Sequence, residues 1–322
     1  MHSIMRRFRV MASDTQLTLI DPTPGAADWA ERRLRELEQR WSRFLTTSDI
    51  STINASPGRW VTVSDDTRAL IRTMQLASDA TNGGYDPTFL HQLLSAGYTS
   101  SIDDPDRITI AVDSPCLTHT VHDIRIDGAH VSVPTGLSLD PGGIGKGFAA
   151  DLVVTELLAQ GTGGALVSIG GDIAAAGSAP TAEGWHVRIE DPHHPPMVVA
   201  TLGVSDGGIA TSSTRSRRWL HQGVEQHHVI DPATGTTSTT DLATVTVVAN
   251  AGWLAEAHAT AALLAGSGGA LRYLEAHGLT GVAIDMNGLV STTADIAETF
   301  TAETITAETI KPVTAPTAGV MA

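Results

Sequence analysis

Residues 140–151 read Asp-Pro-Gly-Gly-Ile-Gly-Lys-Gly-Phe-Ala-Ala-Asp, which places Lys146 among Gly142, Gly143, Gly145 and Gly147. Glycine lets the backbone approach a ligand closely and take a positive φ. A helix beginning just beyond offers free N–H groups and a favourable field for an anion. With the mobile charge of Lys146, the combination suits a phosphate-bearing ligand. It is not a Walker loop, because position 140 is Asp and Gly147 stands where Ser or Thr is required, nor is it a G-x-G-x-x-G fingerprint. The same residues also make an ordinary tight turn into a helix, and spacing alone does not separate the two.

Three other clusters carry polar chemistry. Gly83-Gly84-Tyr85-Asp86-Pro87-Thr88 sets an aromatic, a carboxylate and a hydroxyl in one turn, although a helix stop followed by an Asp-Pro turn accounts for it equally. His227-His228-Val229-Ile230-Asp231 offers paired imidazoles as ligands, bases or phosphate contacts, or simply a strand end. Glu256 and Thr260 lie four apart in an Ala-rich helical stretch and share a face. A carboxylate and a hydroxyl there could bind a hard cation with oxygen ligands from elsewhere. Alternatively, Glu256 faces solvent and Thr260 is filler. His258 lies about 200° round the helix from Glu256 and is not expected to share that cation.

These clusters must be held by mixed elements. Phe8 to Ile20 reads as a strand or hairpin. Asp28 to Leu45 and Asp65 to Asn82 read as helices, the second stopped by Gly83-Gly84. Ser48 to Asn54 reads as a turn with little packing of its own. Ile108 to Val112, Ile124 to Ile126 and Ala129 to Val133 suggest short strands, Phe148 to Gln160 a helix, and Ala165 to Ile169 a buried strand. Strands follow at Trp185 to Glu190, Met197 to Val204 and Thr244 to Ala249, and helices at Trp253 to Ala265 and Gly269 to His277. Asn287-Gly288 suits a type I′ hairpin turn. Without a regular βαβ alternation, the expected fold is α+β, a single composite domain over residues 1–300. The Ala-Glu-Thr repeats at 297, 302 and 307 match neither helix nor strand period, so 301–322 is expected to be a disordered low-complexity tail.

The 322 residues carry a net charge of −15, which argues against non-specific binding to nucleic acid or anionic membrane. Cys116 is the only cysteine, so neither an internal disulfide nor a multi-cysteine metal site is possible. No window approaches the roughly 18 apolar residues of a membrane span, and no apolar leader follows the arginines near the N-terminus. A cytoplasmic location is the expectation.

In order, these segments resemble the FAD:protein FMN transferase (ApbE-like) family. Ser48 to Asn54, the Gly-Gly-Tyr-Asp-Pro-Thr turn, Asp140 to Asp151, Ser168 to Asp172 and His228 to Gly235 carry the likeness, which spans roughly Phe8 to Thr292. The resemblance implies an α+β flavin-transferase domain and a Mg²⁺-dependent reaction. FAD is split at its pyrophosphate, FMN passes to a threonine hydroxyl of an acceptor flavoprotein carrying a flavinylation motif, and AMP leaves. Such chemistry calls for charge neutralisation, in-line positioning and removal of the hydroxyl proton. By the same resemblance Met11, Phe44, Gly84, Tyr85, Asp86, Asp140, Lys146, His228 and Ile230 match FAD-contacting positions. The Gly143 carbonyl, Glu256 and Thr260 match metal positions. Lys146 is suited to phosphate, and the threonine proton goes to His228 or to an acid near the metal. Three positions depart from the family pattern: Met11-Ala12-Ser13 replaces Met-Gly-Thr, Thr211-Ser212-Ser213-Thr214-Arg215 replaces Thr-Ser-Gly-Asp-Tyr, and Glu256 replaces Asp. Hydrolysis of FAD to FMN and AMP, or flavin binding without catalysis, are the alternatives on the same fold.

Overall fold

The computed structural model describes residues 2–109, 119–297 and 312–313. Its frame is one antiparallel sheet of eight strands: β1 (Ser3–Val10), β2 (Ser13–Ile20), β3 (Gly164–Ile169), β4 (Asp172–Gly177), β5 (Gly207–Ser213), β6 (Leu242–Ala249), β7 (Thr280–Asp285) and β8 (Val290–Thr292). Their order across the sheet follows their order in the chain. Helices α1 (Ala26–Trp41), α2 (Asp49–Asn54), α3 (Asp65–Ala80) and α4 (Leu90–Ser95) are inserted after β2. Helix α5 (Gly145–Ala159) leads into β3, and α6 (Gly252–Leu264) and α7 (Ala270–Ala276) join β6 to β7. The architecture is α+β, as the sequence suggests.

The sheet is covered on both faces. Strands Trp185–Glu190 and Val198–Val204 lay Trp185, Val187, Ile189 and Leu202 against Leu166, Ile209, Val248 and Ile284. On the opposite face α6 and α7 pack over Ala210, Val245, Val247 and Ala249. Strand β6 is therefore buried at every position, and its sequence is apolar apart from Thr244 and Thr246, which are buried with the rest. Helices α1, α3 and α5 share the largest core, built on Leu34, Leu37, Leu70, Met74, Val153 and Leu157. Arg33 pins them together, with a two-pronged contact to Asp66 of α3 at 2.7 and 2.8 Å and another to Glu156 of α5 at 2.9 Å. Paired forks of this kind are the stronger form of ion pair.

Three local features differ from the sequence reading. Ser48 to Asn54 is a capped helix rather than a loose turn. Ser48 accepts from the Ser51 N–H, and Ile50, Ser51, Ile53 and Asn54 are buried. Helix α5 begins at Gly145, three residues before Phe148, so Lys146 lies in its first turn. The low helix propensity of glycine pointed the other way. Packing overrides it, because a Cβ on Gly147 would lie 2.5 Å from the carbonyl oxygen of Gly252 on α6. At Asn287-Gly288 only Gly288 has a positive φ. Asp285 Oδ1 accepts from the Asn287 and Leu289 N–H groups, so the hairpin closes through an Asx-type turn and not a type I′ pair. The β1–β2 hairpin does have a two-residue turn with positive φ at both positions, Met11 (52°) and Ala12 (51°). Alanine there holds a conformation that favours glycine.

Most of the strand expected at Ile108 to Val112 lies outside the described residues, as does Cys116. So does the tail from 301, apart from Pro312–Val313, which runs parallel to Gly203–Val204.

Substituting Gly147→Ala should cost about 1–3 kcal/mol, the usual range for overpacking, and fall towards its upper end because the facing atoms are backbone. A urea denaturation series checks this; an unchanged midpoint would contradict the tight helix contact.

Candidate active site

The Gly147–Gly252 contact brings the first turn of α5 against the first turns of α6. Asp151 of α5 caps α6, accepting from the N–H groups of Gly252 at 2.7 Å and Trp253 at 2.9 Å. In that frame Lys146 meets Glu256: Nζ lies 3.0 Å from Oε1, while Oε2 accepts from the Gly147 N–H at 2.8 Å. Lys146 also pairs with Asp172, the first residue of β4. The two carboxylates are almost wholly buried, and the lysine side chain keeps 20% exposure. Burial pushes the Lys146 ammonium below the usual lysine range, with Glu256 opposing the shift.

These groups lie on a cavity of about 450 Å³. Every residue assigned to the site by sequence lines it: Met11, Phe44, Gly84, Tyr85, Asp86, Asp140, Gly143, Lys146, His228, Ile230, Glu256 and Thr260. Gly84 is there through packing, since a Cβ on it would sit 2.7 Å from that of Ala261 on α6. Asp86 is committed to its own turn, accepting from the N–H and hydroxyl of Thr88. Met11 is held by its N–H, which donates to Glu38 at 3.1 Å. Asn54 exchanges two 2.8 Å hydrogen bonds with the backbone of Leu139, fixing the chain just before Asp140. Ser48 to Asn54 thus supports the site from outside it. Ile230 packs with Leu93 and Tyr98. His258 turns away from the cavity and meets the Tyr273 hydroxyl at 2.8 Å.

His228 Nδ1 is buried without a hydrogen-bond partner among the described residues. Burial, reinforced by Arg217 and Lys146, lowers its pKa to about 3, so the imidazole is neutral near pH 7. The Tyr85 hydroxyl is likewise unpartnered, and its ring lies against Gly143, where φ is +82°. A native site retains few such orphans, and each calls for an explanation.

The oxygen donors near Glu256 suit a hard cation in kind. Thr260 Oγ1 is 2.9 Å from the Ser212 hydroxyl and 3.3 Å from the Glu256 carbonyl, and a Cβ on Gly143 would lie 3.7 Å from it. No group of three or more His, Cys, Asp or Glu gathers into a metal centre among the described residues. Phosphate oxygens of a ligand would have to complete the shell, the usual arrangement for Mg²⁺. Sequence reasoning missed Arg43, Arg217 and the role of Asp172. Asp172 was visible only as the last residue of the family-like segment Ser168 to Asp172, with no role attached, and Arg43 carries no local signal beyond being a charge in the stretch Trp41 to Leu45. No helix among the described residues is long and apolar enough to cross a membrane.

Comparison with known proteins places this geometry in context. The sequence model of the ApbE family matches residues 11–284. The chain is 32% identical over 256 residues to the FAD:protein FMN transferase of Treponema pallidum, covering 72% of this chain and 69% of that protein. The fold superposes on the ApbE protein of Thermotoga maritima with a TM-score of 0.78 at 23% identity, over 92% of this chain and 99% of that one. The apo flavinyl transferase ApbE of Pseudomonas stutzeri gives 0.74 at 25% identity, over 92% and 97% of the two chains.

Stability should fall as the medium is acidified from pH 6.5 towards 4. The buried forms of His228 (about 3) and His258 (about 4) resist protons that the unfolded chain binds at 6.5, so the unfolded state gains protons in that window. Asp151, raised to about 6 by burial, acts in the opposite sense but contributes one proton against two. The urea midpoint should be lower at pH 5 than at pH 7, and a His228→Asn/His258→Asn double variant should lose most of the difference. Equal wild-type midpoints would refute the assignment.

Proposed function

The chain belongs to the ApbE family, and on that footing we propose that it transfers FMN from FAD to a threonine hydroxyl of an acceptor protein. The observation that carries the reading is the cluster of Lys146, Asp172 and Glu256 on a cavity that is also lined by a neutral His228, whose Nδ1 has no hydrogen-bond partner among the described residues. In the proposed step the threonine oxygen attacks the phosphorus of the FMN half. The bond from that phosphorus to the bridging oxygen breaks, AMP departs, and FMN remains on the threonine as a phosphoester.

Lys146, held by Asp172, is placed to meet the negative charge that grows on the pyrophosphate oxygens. A fixed charge in a desolvated site is worth more there than in water. His228 Nδ1 is neutral and has no hydrogen-bond partner among the described residues, so it is suited to accept a hydrogen bond from the threonine hydroxyl and orient it. At a pKa of about 3 it is too weak a base to keep the proton, which passes on to a carboxylate beside the metal position. Phe44 and Ile230, which share one apolar cluster, supply an apolar wall for the flavin, and Met11, Gly84, Tyr85 and Asp86 also line the cavity. Mg²⁺ is the expected metal. The Gly143 carbonyl, Glu256 and Thr260 would hold it, and it would neutralise charge on the pyrophosphate. One ammonium against two buried carboxylates leaves an excess of negative charge, which favours a second cation. The extra methylene of Glu256 relative to aspartate lets this carboxylate reach both Lys146 and the Gly147 N–H.

Incubation with FAD, Mg²⁺ and an acceptor bearing a threonine flavinylation motif should give a fluorescent covalent adduct and equimolar AMP. Chelation should abolish both. Lys146→Met, shown by circular dichroism to be folded, should slow the transfer by about 10²–10³-fold, the range for losing one preorganised group that stabilises charge. Free FMN without an adduct would instead assign the hydrolase activity, and bound, unchanged FAD a binding protein.

A further inference from the structure

Four buried polar atoms without hydrogen-bond partners among the described residues belong to side chains on the cavity: Trp41 Nε1, Arg43 Nη2, Tyr85 Oη and His228 Nδ1. Arg43 stands apart from the other three because it is charged and only 4% exposed. Burying a cation is costly unless it is paired and hydrogen-bonded. Its Nη1 donates to the Tyr98 carbonyl at 3.2 Å and to Thr109 Oγ1 at 2.5 Å, and its Nε lies 3.4 Å from Asp140 Oδ1. The guanidinium carbon sits 4.1 Å from the ring centre of Phe44 and 4.5 Å from that of Tyr98. Both rings line the cavity. The guanidinium is thus locked on three sides, and among the described residues its Nη2 has no partner.

The neighbourhood indicates what that partner is. Asp140 neutralises the charge of Arg43, so this corner does not favour a phosphate, whose own charge would meet the carboxylate. It favours a neutral, flat, polar group that offers an acceptor beside a donor. The aromatic walls add that the group is carried on a ring system. Resting on the reading that FAD is the substrate, we propose that Arg43 and Asp140 form a donor–acceptor pair that reads the carbonyl–imide edge of the flavin ring. Arg43 Nη2 donates to a ring carbonyl, and the Asp140 carboxylate accepts the ring N–H. The other charged groups on the cavity, Lys146 and Glu256, with the Gly143 backbone, are left for the pyrophosphate. Arg43 is then a specificity residue for the flavin half of the substrate, and Phe44 and Tyr98 hold its guanidinium plane.

Titration calorimetry with FMN and with ADP, on the full-length chain, separates the two halves of FAD. Arg43→Met should weaken FMN binding at least tenfold and leave ADP binding within twofold. Arg43→Lys keeps the charge but loses the planar fork, and should weaken FMN nearly as much. Asp140→Asn retains the shape while turning half the acceptor into a donor, and should also weaken FMN selectively. It serves as the deciding variant if Arg43→Met fails to fold. Unchanged FMN affinity in the variants, or an equal loss for ADP, overturns the pair while leaving flavin transfer intact. A wild-type chain that binds neither FAD nor FMN would remove the transferase reading, and this pair with it.

Discussion

Two helices that touch backbone to backbone set the geometry of this protein. A Cβ on Gly147 would collide with the Gly252 carbonyl, and one on Gly208 of β5 would lie 2.3 Å from the Gly252 nitrogen. Three glycines therefore allow α5, α6 and β5 to meet more closely than any side chain permits. At that separation Lys146 reaches Glu256, Glu256 reaches the Gly147 N–H, and Asp151 caps α6. A buried ion pair gains from Coulomb attraction only when its geometry is good and its remaining lone pairs are satisfied. Here the glycine contact supplies the geometry and the Gly147 N–H supplies the extra hydrogen bond. Widening the contact would leave charges buried without partners.

Other parts of the fold bring further groups to the same cavity. The β3–β4 turn delivers Asp172 to Lys146 from the sheet. The β1–β2 turn delivers Met11, at the expense of a strained Ala12, and strain of this kind commonly persists where a site requires it. Helix α2 never enters the cavity, yet through Asn54 and Leu139 it fixes the chain that carries Asp140. The result is a mixed pocket. It holds an ammonium, two carboxylates, a hydroxyl and a neutral imidazole together with aromatic rings around a guanidinium. A ligand that joins a charged group to flat polar rings matches that composition.

Much of this was legible in the sequence because the chemistry is concentrated in short runs. The Gly-Lys segment, the Gly-Gly-Tyr-Asp turn and the His-His segment each carry their residue types within a few positions, and their order pointed to the family. The pairings were not legible. Lys146 and Glu256 lie 110 residues apart, and Asp140 meets an arginine that follows a different helix. No local pattern encodes such contacts. The start of α5 was misplaced for a related reason: local propensity disfavours glycine in a helix, and only the facing helix explains why glycine is there. Asn287-Gly288 shows the converse, a strong turn signal overridden by the Asp285 carboxylate capturing two backbone N–H groups.

The central claim is that Lys146 ends the wait of two buried carboxylates for a cation and is also the group that meets the pyrophosphate. A crystal structure of the full chain with FAD and Mg²⁺ tests it most directly. Lys146 Nζ should lie within hydrogen-bond distance of a pyrophosphate oxygen and remain beside Asp172, with the metal on the Glu256 side. A pyrophosphate bound away from Lys146, with the Lys146–Glu256 pair undisturbed, would contradict the account.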